Sequence, residues 1–170
     1  GWSQDNAIWN AARSTSWGNP YQTSNAGEAT QLYSALGVAN NGDLFAAWND
    51  NRSTAGLYTA KSTDGGISWG TNNFVAGSAD SGQPALAVTG TQTLHVAWRQ
   101  EDYNYWRIYY NRSTDGGSTW LAATAMMSVM QQHRPQAAGV SPNVESPEVA
   151  LLGNNVFLSW AANGALYLAK

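Results

Sequence analysis

Apolar and polar residues alternate in short runs along this chain. Ala35-Leu-Gly-Val-Ala39, Asp43-Leu-Phe-Ala-Ala-Trp48 and Leu57-Tyr-Thr-Ala-Lys61 are three such runs, bounded by Gly, Asn or Asp. A period of two with turn residues at both ends predicts β-strands, because successive side chains leave a strand on opposite faces. The same succession returns as Ala85-Leu-Ala-Val-Thr89, Thr93-Leu-His-Val-Ala-Trp98 and Ile108-Tyr-Tyr-Asn-Arg112. Trp48 and Trp98 are 50 residues apart, and Asp64 and Asp115 are 51 apart, as are Trp69 and Trp120.

Each unit therefore reads strand, turn, strand, loop, strand, tight turn, strand. Four short strands in roughly fifty residues make a β-propeller blade. A further unit starts with Glu148-Val-Ala-Leu-Leu152, Val156-Phe-Leu-Ser-Trp160 and Ala165-Leu-Tyr-Leu-Ala169. At the other end Trp2 matches the tryptophan that closes a second strand, Ala7-Ile-Trp-Asn-Ala11 matches a third strand, and Arg13-Ser-Thr-Ser-Trp17 matches a shortened tight turn. The expected organisation is one all-β propeller segment of about three four-stranded blades. Residues 1–30 give the second half of a blade, 31–79 and 80–130 a blade each, and 131–170 the first three strands of another. Open sheets leave unpaired edges, which proteins rarely tolerate. Further blades or a second copy are thus expected to close a ring of about six.

Composition narrows the function classes. Nine Trp, eight Tyr and seventeen Gly with 11% charged residues suit strands and tight turns and oppose disorder. The net charge is −3 and the eight Lys and Arg are scattered, so no basic stripe for nucleic acid exists. No apolar run is long enough for a membrane-spanning helix. Cysteine is absent, which removes disulfides and thiolate chemistry. No His and carboxylate cluster has metal-ligand spacing, so neither a metal nor another cofactor is expected.

Ser62-Thr-Asp-Gly-Gly-Ile-Ser-Trp69 and Ser113-Thr-Asp-Gly-Gly-Ser-Thr-Trp120 share the form S-x-D-x-G-x-[ST]-W. The aspartate and serine can bond their own turn, glycine permits positive φ, and the tryptophan supplies apolar bulk to bury between sheets. Ser62, Asp64, Gly66 and Trp69, and likewise Ser113, Asp115, Gly117 and Trp120, read as turn-builders rather than catalysts. The form resembles the Asp-box of BNR-repeat propellers, a superfamily that includes sialidases. The resemblance implies that the box joins the third and fourth strands, on the face opposite the ligand. It also implies an extracellular or cell-surface location.

That geometry puts ligand contacts on loops between second and third strands, and on connections between blades. Asn49–Thr54, Arg99–Tyr105 and Ala161–Gly164 are the first set, and 19–34, 77–83 and 125–147 the second. The richest cluster is Arg99, Glu101, Asp102, Tyr103 and Tyr105 with Trp106, since aromatic faces beside hydrogen-bonding groups suit a sugar. Arg52, from the Trp48-Asn-Asp50-Asn-Arg52 pattern common in BNR blades, joins these candidates. His133, Arg134 and the nearby Met126, Met127 and Met130 read as ordinary loop and packing residues.

Sialidase chemistry uses an arginine triad, a tyrosine nucleophile with its glutamate, and an aspartate acid. The interval Ser53-Thr-Ala-Gly56, where the resemblance would put that acid, holds no carboxylate, and catalytic residues stay unassigned. Glu101 and Asp102 are adjacent and on a strand would face opposite ways, unlike the paired carboxylates of a glycosidase. The expected function is a non-catalytic secreted or surface module that binds a glycan or a protein. The alternatives are a sialidase-type glycoside hydrolase and a structural assembly module.

Overall fold

The computed structural model describes residues 2–4, 6–11, 16, 18–24, 30–102, 105–125, 144–162 and 164–170. Fourteen strands are found among them, and no helix. The first sheet pairs β1 (Trp2–Gln4), β2 (Ala7–Asn10) and β3 (Tyr21–Gln22). The second runs β4 (Gln31–Val38), β5 (Leu44–Asp50), β6 (Gly56–Ser62) and β7 (Asn73–Ala76) in sequence order. The third repeats that order with β8 (Ser81–Thr89), β9 (Thr93–Asp102), β10 (Tyr105–Ser113) and β11 (Thr124–Ala125). The last holds β12 (Val144–Leu152), β13 (Asn155–Ala162) and β14 (Ala165–Ala169). All pairings are antiparallel. The chain is an all-β propeller segment of two complete blades between two three-stranded ones.

Registers make the repeat exact enough to align sheet with sheet. Trp48 faces Tyr58, Trp98 faces Tyr109, Trp160 faces Tyr167 and Trp2 faces Trp9. Ile8, Leu57, Ile108 and Leu166 therefore occupy one equivalent position, each preceding its aromatic partner. The sheets stack through such positions. Leu57, Phe45 and Ala47 of the second sheet pack with Leu94, Val96 and Trp98 of the third. Ile108 and Ala97 of the third pack with Leu158 and Trp160 of the last. Ile8 of the first packs with Ala46 and Trp48 of the second. Each fully buried side chain of this kind stabilises the stack by roughly 1.5–3 kcal/mol. The first strands also meet, β4 on β8 and β8 on β12, as radial blades require.

The tryptophans divide differently from the sequence expectation. Trp48, Trp98 and Trp160, on second strands, are at most 1% exposed and form the core. Trp69 and Trp120 are half-buried and pack against the margins of two clusters. A turn residue sits at the end of a sheet, where a neighbouring blade covers one side of the ring and leaves the other in water. The tight-turn reading of 13–17 falls mostly outside the described residues, and that of His133, Arg134, Met126, Met127 and Met130 wholly so.

Candidate functional site

The registers separate two ends of each blade. Gln31, Asp50 and Gly56 lie together at one end, and Val38, Leu44 and Ser62 at the other. The S-x-D-x-G-x-[ST]-W turns follow Ser62 and Ser113, so they occupy the second end. Ser62 Oγ donates to Asp64 Oδ1 at 2.8 Å and accepts from the Gly66 amide at 2.9 Å. Asp64 accepts from the Ser68 amide at 2.9 Å and from its hydroxyl at 2.5 Å. Ser113, Asp115, Gly117 and Thr119 repeat the pattern, with Thr119 Oγ1 2.6 Å from Asp115 Oδ2. Gly66 and Gly117 have φ of 90° and 86°, a left-handed geometry that glycine adopts freely. Hydrogen bonds from Ser68 and from Thr119, led by their hydroxyls, hold Asp64 and Asp115 down at about 2. Both carboxylates are wholly engaged in building their turns.

At the first end a polar network replaces apolar packing. Asp50 is fully buried and accepts from Gln31 Nε2 at 2.9 Å, Trp48 Nε1 at 3.1 Å and Arg52 Nη2 at 2.6 Å. Burial opposes its charge, but the hydrogen bonds from Arg52 and Trp48 outweigh it and the pKa falls below the ordinary value. Gln31 Oε1 in turn accepts from Ser24 Oγ, whose oxygen receives the Ile8 amide at 2.9 Å. In the third sheet Gln100 takes the place of Asp50 and bonds Ser81 and Trp98 at 3.1 and 3.3 Å. In the last sheet the same places hold Val144 and Ala162, both apolar.

Two of the candidates make contacts at this end. The Arg52 guanidinium pairs with Asp50, lies 4.2 Å over the Tyr58 ring and reaches Asn72 Oδ1 at 3.4 Å. It braces its own blade. Arg99 stacks 4.1 Å over Trp106 and donates to the Val144 carbonyl at 3.4 Å. The equivalent Asn49 donates to the carbonyl of Ser81, the residue equivalent to Val144. Both side chains thus tie one blade to the first strand of the next.

The remaining candidates sit on a hairpin longer than the sequence reading gave. β9 continues through Asp102, and β10 begins at Tyr105, directly opposite it. Most of the expected loop is therefore strand, since the cross-strand pairing of Arg99 with Ile108 simply extends outward. Glu101 is half-buried and pairs with Trp106. Tyr103 lies outside the described residues, as do the side chains of Asp102 and Tyr105.

Three residues within the expected blade connections 19–34, 77–83 and 125–147, none singled out by sequence reasoning, lie at this end. β4, β8 and β12 each have a register shift near the start, at Tyr33, Gln83 and Ser146. These non-glycine residues have φ of 50°, 50° and 51°. Such conformations cost about 1–3 kcal/mol each and concentrate at functional sites. They also touch across blades. A Cβ placed on Gly82 would come within 3.3 Å of the Tyr33 ring, and Gln83 Oε1 accepts from the Ser146 amide at 2.9 Å. Tyr33 is 47% exposed and Leu32 39%. The signal was present in Gln83-Pro84 and Ser146-Pro147, where proline interrupts the alternation just ahead of each first-strand run. Among the described residues, no three His, Cys, Asp or Glu converge on a metal position.

No family model matches the sequence, and no curated protein matches it. Solved structures do share the fold. A Dyadobacter fermentans protein of unknown function aligns with a TM-score of 0.62 at 17% identity, covering 86% of this chain and 41% of that one. The GH43 endo-arabinanase from Bacillus licheniformis aligns at 0.53 and 11% identity, over 90% and 58%. The Penicillium chrysogenum α-L-arabinanase, solved with arabinobiose, aligns at 0.54 and 18%, over 84% and 44%. The chain spans about half the length of these structures.

Proposed function

We propose that this chain is a carbohydrate-recognising propeller module of the Asp-box kind, acting outside the cell or at its surface. Its ligand rests on the end of the sheets that carries Tyr33, Gln83 and Ser146. The observation that carries this reading is the repeated left-handed bulge, which presents an exposed aromatic ring beside amide and hydroxyl groups on adjacent blades. A tyrosine face packs on a sugar ring while amides and hydroxyls meet its oxygens. The strand ends at Glu101 and Asp102 flank this surface. The fold shared with two arabinan-degrading enzymes supports a carbohydrate ligand.

Binding is favoured over hydrolysis because Asp50, the carboxylate nearest this end of its blade, is buried and paired with Arg52. The test is a glycan array that includes arabino-oligosaccharides and sialosides, read with the parent chain and Tyr33→Ala. Binding that weakens about tenfold in the variant supports the site. No binding by a folded protein to any glycan rejects it. Release of reducing sugar from arabinan, or of a fluorophore from a sialoside, would establish the hydrolytic alternative instead.

A further inference from the structure

The Tyr33 ring carries the proposed contact with a sugar, so whatever holds that ring decides the shape of the surface. Its own strand does not hold it. The register shift between Leu32 and Ser34 and a φ of 50° take Tyr33 out of the regular pairing of β4. The ring is met instead by the following blade. A Cβ placed on Gly82 would lie 3.3 Å from both Cδ2 and Cε2 of Tyr33, with no other ring atom within 4 Å. Only an edge of the ring therefore meets Gly82, and neither ring face is covered there.

The backbone does not demand glycine at this position. Gly66, Gly77 and Gly117 have left-handed φ, and Gly82 does not. The residues equivalent to Gly82, each preceding the bulge residue of its strand, are Leu32 and Glu145. Leu32 is 39% exposed and Glu145 half-buried, so those places accommodate a side chain. At Gly82 a side chain would press on the ring, because carbon atoms pack best at about 3.5–4.0 Å. The spacing between ring and glycine is itself fixed. Asn49, which pairs with Leu32 beside Tyr33, donates to the carbonyl of Ser81 beside Gly82. Ser81 Oγ accepts from the Ser78 amide at 2.9 Å and bonds Gln100 at 3.1 Å. On the other side of Gly82, Gln83 Oε1 accepts from the Ser146 amide of the next blade.

We infer that Gly82 is a positioning residue for sugar binding: its bare backbone is the seat on which the Tyr33 ring stands edge-on, so the aromatic platform of one blade is set by the next. The inference rests on the carbohydrate reading of this end. Gly82 acts through the ring, and a side chain at that position displaces the platform.

The test uses the purified chain with carbon-13 in its tyrosine rings, Tyr33→Phe to assign the Tyr33 signal, and the array of arabino-oligosaccharides and sialosides as the probe. A nuclear Overhauser contact between the Tyr33 ring and the Gly82 Hα protons is expected in the free protein, and its absence overturns the seat. Gly82→Leu should shift the Tyr33 ring signals and weaken glycan binding about tenfold, and Gly82→Ala should do less. In a Tyr33→Ala background Gly82→Leu should change binding by less than about twofold, since two residues acting through one contact are not additive. Equal losses in both backgrounds overturn the role of Gly82 while leaving the carbohydrate reading intact. Gly82→Leu should also lower the melting temperature, and adding Tyr33→Ala should recover most of that loss. This second measurement decides the matter where Gly82→Leu alone fails to fold, and a double variant no more stable than the single one overturns the inference. No binding of any array glycan by the folded, unaltered chain rejects the carbohydrate reading and this inference with it.

Discussion

The middle sheets and the last sheet carry the same pattern, yet bury it differently. Leu57 and Ile108 are 0% exposed, and Ile8 is 1% exposed. Leu166, at the equivalent position, is 79% exposed, and Leu168 beside it 65%. All four belong to strands of the same alternation, opposite a tryptophan strand. What differs is the neighbour: each of the first three sheets is covered by the sheet that follows it in this structure. A blade's sequence thus encodes a two-faced layer, while the burial of each face depends on the next layer. The polar end shows a second gradation. The place of Asp50 is taken by Gln100 and then Ala162, so the buried charge belongs to one blade alone.

The sharpest way to break this comparison is to attack the core tryptophans. Trp98→Ala should cost about 3–5 kcal/mol, measured by urea unfolding, because the ring is enclosed by two sheets. Trp120→Ala should cost less, about 1–2 kcal/mol, because its ring is half in water. Equal losses would contradict the division between second-strand and turn tryptophans.

Asp50→Ala strands Arg52 without its partner inside the blade and should cost about 3–5 kcal/mol. Gln100→Ala removes only neutral hydrogen bonds and should cost about 0.5–1.5 kcal/mol. A reversed order would mean that the charged network is not what holds this end of the second blade.

Ile108→Ala should cost about 2–5 kcal/mol, whereas Leu166→Ala should change stability by less than about 0.5 kcal/mol. A large loss at Leu166 would show that this face is covered in solution by a further layer. Acid titration gives the smallest effect. Asp64 and Asp115 are held at about 2, against an ordinary value of 3.8. Their contribution is therefore complete above about pH 4 and fades as the pH falls towards 2. The melting temperature should drop across that window, and less so in Asp64→Asn with Asp115→Asn. An unchanged slope in the double variant would show that the turns are held without these charges.

The strand alternation, the fifty-residue repeat and the chemistry of the two serine–aspartate–glycine turns were legible in the chain itself. Those features arise from groups within a few residues of one another: Ser62 bonds Asp64 and Gly66, and strand partners follow directly across short turns. The candidate site was much less legible. Arg52 and Arg99 read as ligand-contacting loop residues, and in the structure Arg52 pairs with Asp50 while Arg99 reaches the Val144 carbonyl. Val144 lies 45 residues from Arg99, whereas Asp50, the ion-pair partner of Arg52, is two residues away and stood in the Trp48-Asn-Asp50-Asn-Arg52 pattern without its pairing being read. Tyr33 read as one residue of the 19–34 connection, and only the register shift between Leu32 and Ser34 marks it out.

Sequence by itself determined the blades, their turns and the tryptophan rhythm, because each depends on local backbone geometry and a period of two. Tertiary structure alone decided which tryptophans are core, that Arg99 reaches across a blade junction, and which face of each sheet is dry. Those outcomes depend on the layer stacked alongside, and a strand carries the same alternation whether or not that layer is there.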